Sequence, residues 1–131
     1  MGLTDYTIVD LPLTSVAQAL FLAHAVGEDA ITLTGEAPVD GKIAIVSPNF
    51  LRETGRCFDV CVNVDSLTEM SPTDAAAYAA LARDWGAAFL SINHEANEHS
   101  AAEVLGAVLH RRYRFAYWLR PGYAEELFVV R

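Results

Sequence analysis

The chain has 131 residues, 53% of them hydrophobic and 20% charged, with a formal charge of −8. That size and balance correspond to one globular domain burying roughly two-thirds of its unfolded surface. The acidic excess argues against nucleic acid as a partner, because phosphate backbones are held by clustered Lys and Arg. Arg111, Arg112 and Arg114 do cluster, but at the end of a predicted helix, where cations complement the dipole.

The first segment, YTIVD (6–10), is a β-branched run that reads as a strand. Before it there is no basic stretch followed by an apolar one, and no segment reaches membrane-spanning length, so the expectation is a cytoplasmic protein without a membrane partner. Pro12 then opens TSVAQALFLAHAVG, where Thr14 or Ser15 can cap a helix and Gly27 can end it. ITLTGE (31–36) and KIAIVSP (42–48) are further strand-like runs, joined by a Pro/Asp-Gly turn that suggests a hairpin. FDVCVNV (58–64) is apolar on both faces, as in a buried parallel sheet. Cys57 and Cys61, roughly 13 Å apart if the segment is extended, are too distant for a disulfide and read as small core residues of a reducing compartment.

SPTDAAAYAALARDWG predicts a helix with Ser71 as N-cap, Pro72 at N1, Asp74 at N3 and Gly86 beyond its end. AAFLSIN (87–93) is another buried strand. SAAEVLGAVLHRR repeats the capping pattern with Ser100 and Glu103, and RFAYWL, PGYAE and ELFVVR read as a closing antiparallel pair. Strands alternating with helices predict an α/β fold with a largely parallel sheet. In such sheets ligands bind beyond the carboxyl ends of the strands.

Each main strand ends in polar residues: Asp10; Ser47 and Asn49; Asn63 to Glu69; and Asn93, His94, Glu95 and Asn97. Four such endings predict one wall of a binding cleft. Asp10 can either cap the following helix or accept hydrogen bonds from the ribose hydroxyls of a nucleotide-like ligand. Asp65 and Glu69 precede the Ser71 cap and are either first-turn acids or site groups. His94 is suited to proton transfer near neutral pH. Asp65, His94 and Glu95 would together suit Mg or Mn, although no local spacing motif supports a metal. His24, His99 and His110, like Trp85, Trp118, Tyr117 and Tyr123, read as structural or packing residues.

VDLPLTSVAQALFLAHAVGED, FDVCVNVDSLTEM, FLSINHEAN and YWLRPGYAEELF together resemble the later part of the sugar O-methyltransferases, a family of class I S-adenosylmethionine-dependent methyltransferases. NVDSLTEM and SINHEAN are the specific pair; DLP is shared more widely. The resemblance implies a Rossmann-like sheet that binds S-adenosylmethionine, with Asp10 on the ribose and Ser47, Asn49 and Asn63 also lining the cofactor. It implies a sugar or other small-molecule hydroxyl as acceptor, His94 or Glu69 as base, and Asp65 orienting the acceptor or a divalent cation such as Mg.

Methyltransferases of this class begin with a strand and a glycine-rich turn, and Gly2 is the only glycine before Gly27. The chain is therefore expected to start at the family's second strand, with a central strand missing from the sheet. Three arrangements follow: direct pairing of the flanking strands, a partner chain in the gap, or loss of the strand together with the activity. Unpaired edges favour a homo-oligomer or a complementing chain. The alternatives to a methyltransferase are a non-catalytic binding or assembly module, including the partner subunit of a split enzyme, and a nucleotide-like small-ligand binder.

Overall fold

The computed structural model describes residues 5–37, 39–53 and 55–130. Gly2 and Pro38, used in the sequence reading, lie outside them. The fold is α/β, and it divides into two compact units, Met1–Arg56 and Cys57–Arg131.

The first unit contains strand β1 (Tyr6–Val9), helix α1 (Pro12–Val26), strands β2 (Ile31–Leu33) and β3 (Ile43–Val46), and the short helix α2 (Pro48–Glu53). Pro12 sits at the start of α1, and Leu11, with no side-chain cap, is its N-cap. The helix thus begins earlier than Thr14 or Ser15, because the fixed φ of proline is already helical and its missing N–H costs nothing at the first position. Gly27 ends α1 at φ 97°, a value that other L-residues rarely adopt. The sheet order is β1-β3-β2, and both ladders are parallel.

The expected hairpin between β2 and β3 is therefore not formed. Two positive-φ glycines, Gly35 (94°) and Gly41 (83°), lie in turns after β2 and before β3. Two turns restore the direction that a single one would have reversed. The central strand β3 buries Ala44, Ile45 and Val46 in succession, as a parallel strand covered on both faces does. By contrast α1 buries none of its residues fully, and Leu13 is 85% exposed.

The second unit contains β4 (Val60–Val64), α3 (Pro72–Trp85), β5 (Ala88–His94), α4 (Ala101–Gly106), β6 (His110–Ala116) and β7 (Tyr123–Val129). Its sheet runs β4-β5-β7-β6, parallel between β4 and β5 and antiparallel in the other two ladders. Ser71 Oγ accepts from the Asp74 N–H, and Gly86 closes α3 in the left-handed conformation. Ala75, Ala79 and Ala82, spaced by four and three, form one helical stripe buried against Phe89, Leu105, Leu109 and Phe128. Small residues along that stripe let the helix lie close to the sheet, where the buried Phe rings supply the volume.

The Ser100–Glu103 capping box forms as the sequence indicates, but α4 stops at Gly106. His110, Arg111, Arg112 and Arg114 are therefore strand residues of β6 and not helix-end cations. The pairing partner explains this. Alternate residues of β7 (Ala124, Glu126, Phe128) are buried, and β6 supplies Arg111 to the buried Glu126 carboxylate at 2.8 Å. Arg114 reaches both Glu126, at 3.8 Å, and Glu95.

β4 also departs from expectation. Val60, Val62 and Val64 are 56%, 63% and 52% exposed, so one face of this strand is open. Cys57 is exposed too, contrary to a core position, whereas burial pushes the Cys61 thiol up to about 11. No helix among the described residues is long and apolar enough to cross a membrane.

Candidate functional site

The carboxyl ends of the parallel strands carry the polar residues, and each unit assembles its own group. In the first unit the register pairs Val9 with Val46, so Asp10 and Ser47 leave adjacent strands together, and the Asp10 N–H donates to the Val46 carbonyl at 3.2 Å. The Asp10 carboxylate accepts from the Leu11 N–H at 2.7 Å and from Gln18 Nε2 at 2.8 Å. Asp10 is not the N-cap of α1, which is Leu11. It fastens the start of α1, and two of its roughly four lone-pair sites stay available. Gln18 Oε1, the other end of the same amide, is buried with no hydrogen-bond partner among the described residues. An orphaned buried acceptor beside a carboxylate is an unusual pairing, because such groups are normally satisfied.

Ser47 has two local duties. Its N–H donates to Thr34 Oγ1 at 3.0 Å, and its Oγ accepts from the Phe50 N–H at 3.3 Å, capping α2. Asn49 is exposed on α2. A groove of about 410 Å³ runs between α1 and the sheet, lined by Val16, Leu20, Leu33 and Ile45 with Ser15 and Ser47 among its polar groups. Ser15 Oγ donates to the Asp10 carbonyl at 3.3 Å, which brings this apolar space beside the acid.

In the second unit the loop after β4 is held by an amide network. Asn63 donates to Ser66 Oγ at 2.6 Å and accepts from the Leu67 N–H at 3.0 Å and from Asn93 Nδ2 at 2.9 Å. Asn93, itself buried, also donates to Ser91 Oγ and accepts from the Ser66 N–H. Asn63 is therefore a strut of this loop. Its donors and acceptors are spent on the protein and not aimed outward.

Asp65 follows with φ 56°, a left-handed value that Asp tolerates better than most residues. Its carboxylate accepts from the Tyr123 hydroxyl at 2.8 Å and from Arg120 Nη1 at 3.0 Å. The Tyr123 hydrogen bond, then the Arg120 guanidinium, hold Asp65 below the usual carboxylate range, and the Tyr123 phenol is raised in return. Asp65 stays ionised, with one protein partner on each carboxylate oxygen, and it anchors the C-terminal turn.

His94 lies edge-on to the Tyr123 ring, with centroids 5.0 Å apart. Its Nδ1 accepts from the Ala96 N–H at 3.1 Å, which assigns the neutral ring's proton to Nε2. Nε2 in turn lies against Gly122, where an added Cβ would come within 2.9 Å of it. The Nδ1 lone pair is thus occupied by the Ala96 N–H, which leaves that nitrogen without the free lone pair a general base needs. Glu69 differs. It is exposed, and its carboxylate has no hydrogen bond or ion pair among the described residues, yet it is close enough to Tyr123 for its charge to raise the phenol.

The oxygen-rich cation site expected from Asp65, His94 and Glu95 is not assembled. Among the described residues no group of three or more His, Cys, Asp and Glu side chains converges on a metal position. Asp65 is committed to Arg120 and Tyr123, and Glu95 to Arg114.

Sequence reasoning missed Gln18, Arg120 and Tyr123 as site residues. Tyr123 faces Asp65 because the β5–β7 register pairs it with His94, a long-range fact without a local signal. Gln18 had a signal, since Asp10 and Gln18 are eight apart on either side of a helix start.

No family model and no curated protein matches this sequence. Among solved structures the chain is similar to the mitomycin 7-O-methyltransferase MmcR, with a TM-score of 0.64 and 11% identity. The match covers 95% of this chain and 41% of that one, so the chain spans about two-fifths of its neighbour's length. At that identity the likeness is one of fold: this chain is folded like the corresponding part of an O-methyltransferase.

Proposed function

We propose that this chain supplies part of an S-adenosylmethionine-dependent O-methyltransferase site. The observation that carries the reading is the pair formed by Asp10, at the carboxyl end of β1, and Gln18 of α1. A carboxylate with open lone pairs beside an orphaned amide oxygen suits the two neighbouring hydroxyls of a ribose. The apolar groove next to it offers a surface for a flat heterocycle.

When bound, the cofactor supplies a sulfonium-activated methyl group. What falls to the protein is to orient an acceptor hydroxyl and to take its proton. Within the second unit, taken by itself, Glu69 of the β4 loop is an exposed carboxylate able to take a proton. Asp65, Tyr123 and Arg120 fix the turn beside it. The acceptor is a small hydroxyl compound, and a sugar is the class that NVDSLTEM and SINHEAN favour by resemblance.

Calorimetric titration with S-adenosylmethionine and with its demethylated product tests this. Micromolar affinity is expected, weakened at least tenfold (about 1.4 kcal/mol) by Asp10→Asn and by Gln18→Leu. Excess chelator is expected to leave it unchanged. Absence of binding, or binding indifferent to both substitutions, overturns the reading. Equal affinity for adenosine nucleotides would favour a nucleotide-like binder instead. The competing reading, a non-catalytic binding or assembly module, draws on the match's spanning only 41% of the neighbouring enzyme.

A further inference from the structure

Of its two faces, β4 turns the less apolar one inward. Val60, Val62 and Val64 are exposed, while Cys61 packs against the core of the second unit and Asn63 follows it on the same side. A shift of one residue against β5 would exchange the faces and cover the valines. Apolar burial alone therefore favours a register that the chain does not adopt. Nor does a tight turn impose the observed one. β4 and β5 are parallel, and the chain between them passes through α3, a connection long enough to let the pairing slide.

The observed register does satisfy a row of polar groups. Asn63 pairs with Ser91, Ser91 with Glu126 and Glu126 with Arg114, so one polar rung crosses all four strands. Ser91 and Glu126 are 0% and 4% exposed. At the β4 end, the Asn63 oxygen accepts from Asn93 Nδ2 and from the Leu67 N–H, and its nitrogen donates to Ser66 Oγ. With β4 shifted by one, a valine would stand opposite Ser91, and the Asn93 amide and the Leu67 N–H would lose this acceptor. Buried donors left unpaired cost more than an ordinary hydrogen bond contributes.

We infer that Asn63 selects the register of β4 and thereby positions the loop that carries Asp65 and Glu69. A single buried amide among apolar residues does this by penalising the alternative pairings. The consequence for the candidate site is one of length. A strand advances about 3.3 Å per residue, so a shift of one carries Asp65 beyond the 2.8 Å hydrogen bond from Tyr123. Asn63 is a positioning residue, acting through the loop. The inference rests on the second unit's sheet and not on the methyl-transfer reading, so either can fail without the other.

Asn63→Val, made in the full chain, removes the amide and keeps a good strand residue. Cross-strand contacts measured by nuclear magnetic resonance are expected to place Val62 or Val64 opposite Ser91. The Asp65 carboxyl is then expected to titrate in the ordinary carboxylate range. Asn63→Asp keeps an oxygen for Asn93 and Leu67, and the Ser66 hydroxyl can donate to it. In that variant the native pairing and the depressed Asp65 titration are expected to persist. Retention of the 63–91 pairing in Asn63→Val overturns the inference. So does an Asn63→Val chain that circular dichroism shows to be unfolded, since no shifted register is then open to it. An Asn63→Asp chain that shifts as Asn63→Val does overturns it as well, because the acceptor at residue 63 is then not what holds the strand.

Discussion

Asp65 sits where β4 stops, and its left-handed backbone turns a carboxylate towards groups that lie far along the chain. The hydrogen bond from Tyr123 is the largest influence lowering its pKa, and the side chain is 30% exposed. A carboxyl depressed in the folded state stabilises the protein above its unfolded value of 3.8 and loses that contribution as pH falls through the folded value. Tyr123→Phe keeps the ring against His94 and removes the hydroxyl. The variant is expected to be less stable by about 1 kcal/mol at neutral pH, and the difference should shrink on acidification below about pH 4. Urea unfolding at several pH values checks this; a constant difference would mean that the hydroxyl acts independently of the carboxylate. Asn63 and Asn93 complete the picture at this scale, since each spends its amide on the loop that presents Glu69.

Among the elements, α3 is the one whose limits were written most clearly. Ser71 both accepts from the Asp74 N–H at 3.1 Å and donates to the Asp74 carboxylate at 2.7 Å, while Gly86 takes the left-handed stop. These interactions span only a few residues, so the spacing of residue types was enough to read them. Ser71→Ala is expected to cost about 1 kcal/mol without displacing the Ala75–Ala79–Ala82 stripe, as measured by chemical denaturation. α4 and β6 show the limit of such reading. The capping box at Ser100 was legible, but VLHRR also fits a helix until the buried Glu126 of β7 claims Arg111. A buried carboxylate needs its cation, and that demand comes from a neighbouring strand and not from local propensity.

For the molecule as a whole, the two units differ in how much they bury. The second has a continuous core of Leu67, Phe89, Leu105, Leu109 and Phe128 beneath the α3 stripe. In the first, β3 and Thr32 account for the fully buried residues, and α1 contributes none among those described. Local stability follows buried apolar area. Amide exchange is therefore expected to be slower in β5 and β7 than in β1 and α1, with opening of the first unit at lower denaturant. Hydrogen exchange resolved by peptide checks this, and uniform protection across both units would contradict it.

The sequence by itself determined the alternation of strands and helices, the two side-chain caps and the polar strand endings, because each depends on hydrogen bonds or side-chain periodicity within a few residues. Tertiary structure alone decided the rest. Whether two turns between β2 and β3 cancel, which face of β4 is covered, and which partner reaches Asp65 all depend on groups distant in the chain. The Tyr123 hydroxyl comes 58 residues after the carboxylate it binds. Closing such a span costs chain entropy that no local pattern can encode, and the assembled ladder of β5 and β7 supplies the opposing free energy.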